Sequence, residues 1–241
     1  MTEQSIPEQR PPAEHKPRTF IDLLVSIVIP SVILMKLSDE TALGPVFALV
    51  LALSFPLSWG LFEKIRYRKF NWVALLGIIS VMLTGGIGLL ELDPKWLAIK
   101  EAAVPGLIGL VVAGSVFTPY PLVRKLLFNP ALLNVELVEK VLNEKNNVSD
   151  FDRRLKLSNF LLAGTFFFSS VMNYVLAKWI VTSPAGTAAF NEELGRMTLL
   201  SYPVIVIPSM VMLAAILYYL WHTIHQLTEL SMEEVFTGMA E

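Results

Sequence analysis

Residues 199–221 read LLSYPVIVIPSMVMLAAILYYLW, a run without a single charged side chain. About 20 predominantly apolar residues in a helix cross the hydrocarbon core of a bilayer, so this run predicts a transmembrane helix. The composition agrees, because 54% of the 241 residues are hydrophobic and 17% are charged, against about 25% charged in ordinary soluble domains. The sequence therefore predicts an all-α, polytopic membrane protein.

Five further windows have the same apolar character, and each is bounded by charge, proline or glycine. We therefore predict six transmembrane helices. Residues 1–19 are rich in proline and polar side chains and predict a disordered tail. They do not resemble a signal peptide, because the apolar run that begins at Phe20 continues as a span. The predicted spans are 20–37, 43–62, 71–90, 96–117, 160–180 and 199–221, followed by a second tail at 222–241.

The segment 118–159 is longer than the other predicted connections and has the pattern of an amphipathic helix. After Asn129 and Pro130, leucines and valines are interleaved with polar residues at helical spacing. A segment of this length is too short to bury a core of its own. We expect its helix to lie on the membrane surface or against the helix bundle.

Lysine and arginine predict the orientation, because cytoplasmic loops carry an excess of both. The tail 1–19, the loop after the second span and the segment 118–159 together hold fourteen of the nineteen Lys and Arg. Both termini are therefore expected in the cytoplasm. The five tryptophans fall at predicted span ends, where an indole buries its ring while its N–H meets water. They are Trp59, Trp72, Trp96, Trp179 and Trp221.

Several short motifs give the chain a resemblance to a known family. They are Phe20-Ile21-Asp22-Leu23-Leu24 with Lys36; Tyr67-Arg68-Lys69 with Trp72; Gly85-Gly86 with Leu89, Asp93, Trp96 and Lys100; and, more loosely, Lys156-Leu157-Ser158 and Asn173-Tyr174. In these motifs the chain resembles the intracellular septation protein A family of bacterial inner-membrane proteins. It departs from the family in its proline-rich tail, its extended loop, and Glu101 where a proline is expected. The resemblance implies an inner-membrane location and a role in cell-envelope maintenance and division, and it implies no reaction chemistry.

Ionisable groups within the predicted spans are the candidates for a functional site, because such a group costs about 2.5 to 3.5 kcal/mol at the bilayer centre on insertion scales. Asp22 and Lys36 lie near span ends, from which both reach an interface. Lys100 and Glu101 lie deeper. Adjacent helical positions point about 100° apart, so each is expected to take another partner: Glu91 or Asp93 for Lys100, and a different helix for Glu101. A structural ion-pair network and a ligand or proton site both remain open.

Two further features of the spans are candidates for helix packing or binding. Pro30, Pro56, Pro105 and Pro208 interrupt four spans near their middles and predict kinks, which line cavities in transporters and also occur in inert membrane helices. Ser169, Ser170 and Asn173 form a polar strip in the fifth span, which predicts hydrogen bonds between helices or contact with a ligand.

The composition also excludes several classes of function. The chain has no cysteine and three histidines, so thiol chemistry is excluded and a metal site or cofactor is not expected. Its net charge of −2 does not suit nucleic acid as a partner. The leading hypothesis is a non-enzymatic protein of the bacterial inner membrane, whose partners are the lipid bilayer and other membrane proteins. The alternative is a small transporter of a solute or lipid with a cavity near Asp22, Lys100, Glu101 and Asn173; an intramembrane enzyme ranks third.

Overall fold

The computed structural model describes residues 24–67, 72–118, 121–126, 128, 130 and 133–236, and in these ranges it is helical without a β-strand. The all-α prediction is confirmed for this part of the chain. Residues 1–23, which include the predicted tail and Asp22, lie outside the described residues. The helices are α1 (Ile29–Lys36), α2 (Gly44–Tyr67), α3 (Trp72–Leu89), α4 (Lys95–Ser115), α5 (Leu122–Leu126), α6 (Val135–Glu144), α7 (Val148–Ile180), α8 (Ala188–Ser201), α9 (Ile207–Thr228) and α10 (Met232–Val235).

Three helical stretches in the described ranges are long and apolar enough to cross a membrane. They are α4 with 21 residues, α7 with 33 residues and Ala188–Thr228 with 41 residues; an 18-residue window in each has a mean hydropathy of 1.7, 1.6 and 2.2, respectively. Gly44–Trp59 and Ile79–Leu89 are shorter apolar helical stretches. A helix overlaps each predicted span, and the count of six spans stays a prediction.

Two helices extend well beyond the windows that the sequence predicted. Helix α7 begins at Val148, whereas the fifth span was predicted to begin at residue 160. The predicted loop 118–159 therefore ends in helix. The hydropathy of a window marks where a helix is apolar, and charged residues such as Asp150 and Arg154 are compatible with a helical backbone. Helix α8 likewise starts at Ala188, before the predicted sixth span.

Helix α7 and the α8–α9 stretch form an antiparallel hairpin. At one end, the Asn147 amide donates to the carbonyl of Leu227 at 2.8 Å. Midway, the hydroxyls of Ser169 and Ser209 lie 3.1 Å apart. At the other end, the backbone N–H of Ser183 donates to the Glu193 carboxylate at 2.8 Å. These contacts fix the register of the two helices over the whole length of α7.

Helix α4 packs along α7, and small residues allow the close approach. A Cβ added at Gly109 would lie 3.1 Å from the Phe167 ring and 3.2 Å from the Phe166 Cβ. A Cβ at Gly106 would lie 2.9 Å from the hydroxyl oxygen of Ser170. Glycine at these positions therefore allows the close contact between the two helices.

Two apolar cores lie at opposite ends of this helical assembly. The Phe190 core joins α1, α2, α8 and the facing ends of α3, α4 and α7; the Phe151 core joins α5, α6, α10 and the other ends of α4, α7 and α9. Phe190 is fully buried and Phe151 is 2% exposed. The remaining buried members of the Phe190 core include Leu49, Leu97, Ala177 and Leu194, and those of the Phe151 core include Val112, Val138, Leu155 and Ile224.

Helix α6 lies within the segment where an amphipathic helix was expected. The side chain of Asn134 caps it by accepting a hydrogen bond from the N–H of Leu137 at 3.3 Å. Val138 and Leu142 on its apolar face are buried in the Phe151 core. The backbone N–H of Asn134 also donates to the carbonyl of Val235 at 2.8 Å, which ties α6 to the C-terminal α10.

A π-helical turn precedes two of the predicted proline interruptions. One spans Leu24–Val28 before Pro30, and the other spans Tyr202–Val206 before Pro208. Both turns end at the valine of a repeated Val-Ile-Pro-Ser sequence. In a regular α-helix the proline ring clashes with the carbonyl four residues earlier. A wider turn before the proline relieves this clash. Pro56 and Pro105 instead lie inside α2 and α4.

Candidate functional site

The ammonium group of Lys100 is the centre of the candidate site. It projects from α4 about 8 Å along the helix from Lys95, at about 1.5 Å per residue. Its Nζ donates to the hydroxyls of Thr84 at 2.7 Å and Ser80 at 3.2 Å, both on α3. The same atom lies 2.7 Å from Oε1 of Glu101. The side chain of Lys100 is 8% exposed, so these contacts replace water.

The partner predicted for Lys100 was wrong. Asp93 or Glu91 was the predicted partner of Lys100, and Glu101 was expected to contact a different helix. The structure instead pairs Lys100 with Glu101. The angle of about 100° between adjacent positions applies to the directions of their Cβ atoms. A lysine has a flexible four-carbon stem, which carries its charge around the helix to the neighbouring carboxylate.

Asp93 and Glu91 lie outside this pair. Asp93 accepts a hydrogen bond from the backbone N–H of Lys95 at 2.8 Å, and its carboxylate lies 3.1 Å from the Lys95 ammonium. The N–H of Lys95, followed by its ammonium group, lowers the pKa of Asp93 from the ordinary value. Glu91 has a φ of 51° and packs against Gly186 in the turn between α7 and α8.

The polar strip of α7 connects helices at two of its three positions. The Ser170 hydroxyl donates to the carbonyl of Ala102 on α4 at 2.7 Å, and Ser169 pairs with Ser209 of α9. The Asn173 amide donates to the carbonyl of Ser169 in its own helix at 2.8 Å. The two serines agree with the packing interpretation, and Asn173 is not hydrogen-bonded to the Lys100 group.

A second buried polar group, which the sequence analysis missed, lies near the other end of α4. Asn159 is fully buried, and its amide donates to the carbonyl of Val112 at 2.6 Å. Its side-chain oxygen accepts from the N–H of Val123 at 2.9 Å, while the Ser115 hydroxyl accepts from the N–H of Leu122 at 3.0 Å. Asn159 thus joins α7, the end of α4 and the start of α5.

Two more structural polar residues hold the Phe190 end. Glu193 accepts hydrogen bonds from both the backbone and the hydroxyl groups of Thr182 and Ser183, between 2.8 and 3.2 Å. The amide of Asn191 donates to the Ser38 hydroxyl at 3.1 Å and to the Pro45 carbonyl at 2.7 Å. Glu193 lies beyond the first turn of α8 and its partners precede the helix, so helix-end electrostatics gave no sequence signal for this contact.

The histidines of α9 bind neighbouring groups. Nδ1 of His225 lies 2.7 Å from the carbonyl of Leu230, and Nε2 of His222 lies 2.9 Å from the Gln226 amide. In the described part of the chain, no group of three His, Cys, Asp or Glu is placed to hold a metal ion. The contacts of His222 and His225 are hydrogen bonds to neighbouring residues of the chain.

Comparison with protein-family models, with curated proteins and with solved structures found no match. The resemblance to the septation protein A family therefore stays a prediction that depends on the short motifs quoted above.

Proposed function

We propose that this chain is a non-enzymatic protein of the bacterial inner membrane, with six transmembrane helices and both termini in the cytoplasm. In this proposal it acts in envelope maintenance or division through contacts with other membrane proteins. The link to the envelope comes from the family resemblance. The proposal of a contact function comes from the way in which Lys100 is bound.

The observation that carries the proposal is that Lys100 already has its partners within the protein. An ammonium group has three N–H donors, and Thr84, Ser80 and Glu101 supply acceptors between 2.7 and 3.2 Å. A substrate would have to displace one of them. The contacts of Lys100 with Ser80 and Thr84 therefore suit a structural link between α3 and α4 better than a transport site.

The exposed surface supports a contact function. Leu107, Leu110 and Val111 on α4 are each at least 60% exposed, as are Met210 and Val211 on α9. Only 22% of the apolar window of α4 and 17% of that in Ala188–Thr228 is buried. These faces are available to lipid and to the apolar helices of other membrane proteins.

A paired substitution distinguishes the contact function from the transporter alternative. Lys100→Met with Glu101→Gln removes both charges without leaving one of them unpaired. We expect this protein to accumulate normally and to restore cell length and envelope integrity in a strain that lacks the native gene. A protein that accumulates normally but fails to restore them would favour the transporter.

Photocrosslinking tests the contacts themselves. A crosslinking amino acid at Leu110 or Met210 is expected to capture specific membrane proteins in living cells, and Val112, which is 2% exposed, is the buried control. Capture of lipid alone at both exposed positions would contradict the proposal.

Cysteine labelling tests the orientation in a chain that has no cysteine of its own. Asn146 and Ala189 are exposed residues next to opposite ends of the α7 hairpin. With a membrane-impermeant reagent and intact cells, Ala189→Cys should be labelled and Asn146→Cys protected. Labelling at position 146 from outside would overturn the orientation.

A further inference from the structure

An apolar groove of about 410 Å³ lies against α9 at the Phe151 end. Its walls include Leu217, Trp221 and Ile224 of α9 together with Leu133 and Phe236. A volume of this size is within the range of about 300–1,000 Å³ that small-molecule sites occupy. The groove is separate from the Lys100 group and is not used by the proposed contacts.

The position of the groove relative to the bilayer follows from α7, and this step depends on the proposed membrane location. Residues 157–177 of α7, between Lys156 and Lys178, carry no charge and span about 32 Å, close to the hydrocarbon thickness of about 30 Å. The contacts Ser169–Ser209 and Arg154–Gln226 place residue 157 opposite residues 221–223 on α9. The groove walls from Ala214 to Ile224 therefore run from inside the hydrocarbon to its boundary.

Polar groups begin at the boundary end of the groove. The ring of His222 stacks on Tyr218, a groove residue, with 6.1 Å between centroids. His222 contacts the Gln226 amide at 2.9 Å, and Arg154 donates to Gln226 at 2.6 Å. Glu229, an acidic residue near this boundary, is paired with Lys145 at 3.0 Å. The apolar groove thus runs through the hydrocarbon toward His222 and Arg154 at the headgroup level.

We propose that the groove binds one acyl chain of an anionic phospholipid, whose phosphate faces His222 and Arg154. The apolar walls suit an acyl chain, and an arginine guanidinium suits a phosphate because its planar N–H groups match the phosphate oxygens. The indole N–H of Trp221 has no acceptor within the described residues. Because Trp221 lines the groove, an ester carbonyl of the bound lipid is the acceptor that we assign to this N–H.

Fluorescence quenching by a brominated phospholipid tests the groove directly. The protein is purified in detergent with Trp221 as the only tryptophan, after substitution of Trp59, Trp72, Trp96 and Trp179 by phenylalanine. Phosphatidylglycerol with brominated acyl chains is expected to quench Trp221 saturably. Ala214→Phe, at an exposed groove position, should abolish saturation, whereas Ala103→Phe, at an exposed position on α4, should not.

A charge substitution tests the headgroup contact. Arg154→Gln is expected to weaken binding of brominated phosphatidylglycerol several-fold and to leave that of brominated phosphatidylcholine unchanged. Lys156→Gln removes the same charge from an exposed position on α7 and serves as the control. Equal effects of the two substitutions would overturn the assignment of the phosphate to Arg154.

Two other results would overturn the lipid site itself. Identical, unsaturable quenching of the Ala214→Phe and unsubstituted groove proteins would mean contact with bulk micelle only. Saturable quenching that requires removal of residues 237–241 would mean that the chain's own C-terminus fills the groove. Extraction of the native protein from membranes by alkaline carbonate would instead contradict the proposed membrane location, so the two failures are distinguishable.

Discussion

A buried polar group lies near each end of α4, Lys100 of α4 itself at one end and Asn159 of α7 at the other, and the two groups differ in their chemistry. Near its start, Lys100 forms an ion pair with Glu101 and hydrogen bonds to α3. Near its end, the neutral amide of Asn159 bonds to the backbone of α4 and of α5. The charged group contacts mainly side chains, with a longer contact of 3.5 Å to the Ser80 carbonyl, whereas the neutral amide satisfies buried backbone atoms at 2.6 and 2.9 Å. The neutral group should therefore matter more for stability.

The largest effect is expected from Asn159→Leu. The substitution keeps similar volume but leaves the N–H of Val123 and the carbonyl of Val112 without this partner, at about 1–3 kcal/mol each. We expect a loss of about 3 kcal/mol, measured as a lower thermal unfolding midpoint in detergent. Asn143→Leu is the control, because Asn143 is exposed and should change stability by less than about 0.5 kcal/mol. Equal effects of the two substitutions would break the comparison.

Lys100→Met should have the next largest effect, about 2 kcal/mol. This value is below the 3–5 kcal/mol typical of a broken buried pair, because the Glu101 side chain is 25% exposed and stays partly solvated. Adding Glu101→Gln should recover part of the loss. Thermal unfolding of the single and double variants measures their coupling. A double variant no more stable than Lys100→Met would show that the ion pair contributes nothing.

The partner assignment can be sharpened with Asp93→Asn. Asp93 pairs with the exposed Lys95, so the effects of Asp93→Asn and Lys100→Met on stability should be additive, without measurable coupling. The same thermal unfolding cycle measures this coupling. A clear departure from additivity would instead support Asp93 as the partner of Lys100, as the sequence predicted.

Ser170→Ala measures an ordinary neutral hydrogen bond on the same helix pair. Loss of its bond to the Ala102 carbonyl should cost about 1 kcal/mol in thermal unfolding. Ser54→Ala is the control, because the Ser54 hydroxyl is exposed and bonds within its own helix. If Ser170→Ala costs as much as Lys100→Met, the charge on Lys100 adds no stability beyond a neutral bond.

The smallest effect is expected at acid pH from Asp93. Its pKa is lower in the folded protein than the ordinary value of 3.8, so its stabilisation is present above that value and is lost as the pH falls through the lowered pKa. Asp93→Asn should flatten the pH dependence of the unfolding midpoint below about pH 4. An unchanged acid limb would show that the Lys95 contact is absent in solution.

The sequence predicted the features that depend on hydropathy and missed those that depend on tertiary contact. Apolar windows located a helix at each predicted span, and the polar positions of the 118–159 segment indicated an amphipathic helix. Hydropathy could not reveal that α7 begins at Val148, because charged residues form helix as readily as loop. Asn159 was missed because it stood at a predicted span boundary, where an asparagine is unremarkable until α4 and α5 are packed against it.

Dependence on tertiary contact also explains why the partners of Lys100 were not predicted. Depth within a span identified Lys100 and Glu101 as residues that need partners, and the structure gives them partners. The identity of those partners depended on the reach of the lysine stem and on the neighbouring hydroxyls of Ser80 and Thr84. Neither can be obtained from the spacing of charges along one helix.

The two π-helical turns set the rotational position of the helices that follow them. In the second turn the N–H of Ile207 reaches the carbonyl of Tyr202, five residues earlier, so the turn holds one residue more than α-helical bonding requires. Each extra residue rotates the downstream face by about 100°. A chain shortened by one residue between Tyr202 and Val206 could stay helical, but α9 would turn Ser209 away from Ser169 and Trp221 away from its present neighbours. The number of residues in this turn thus sets the direction in which each side chain of α9 points.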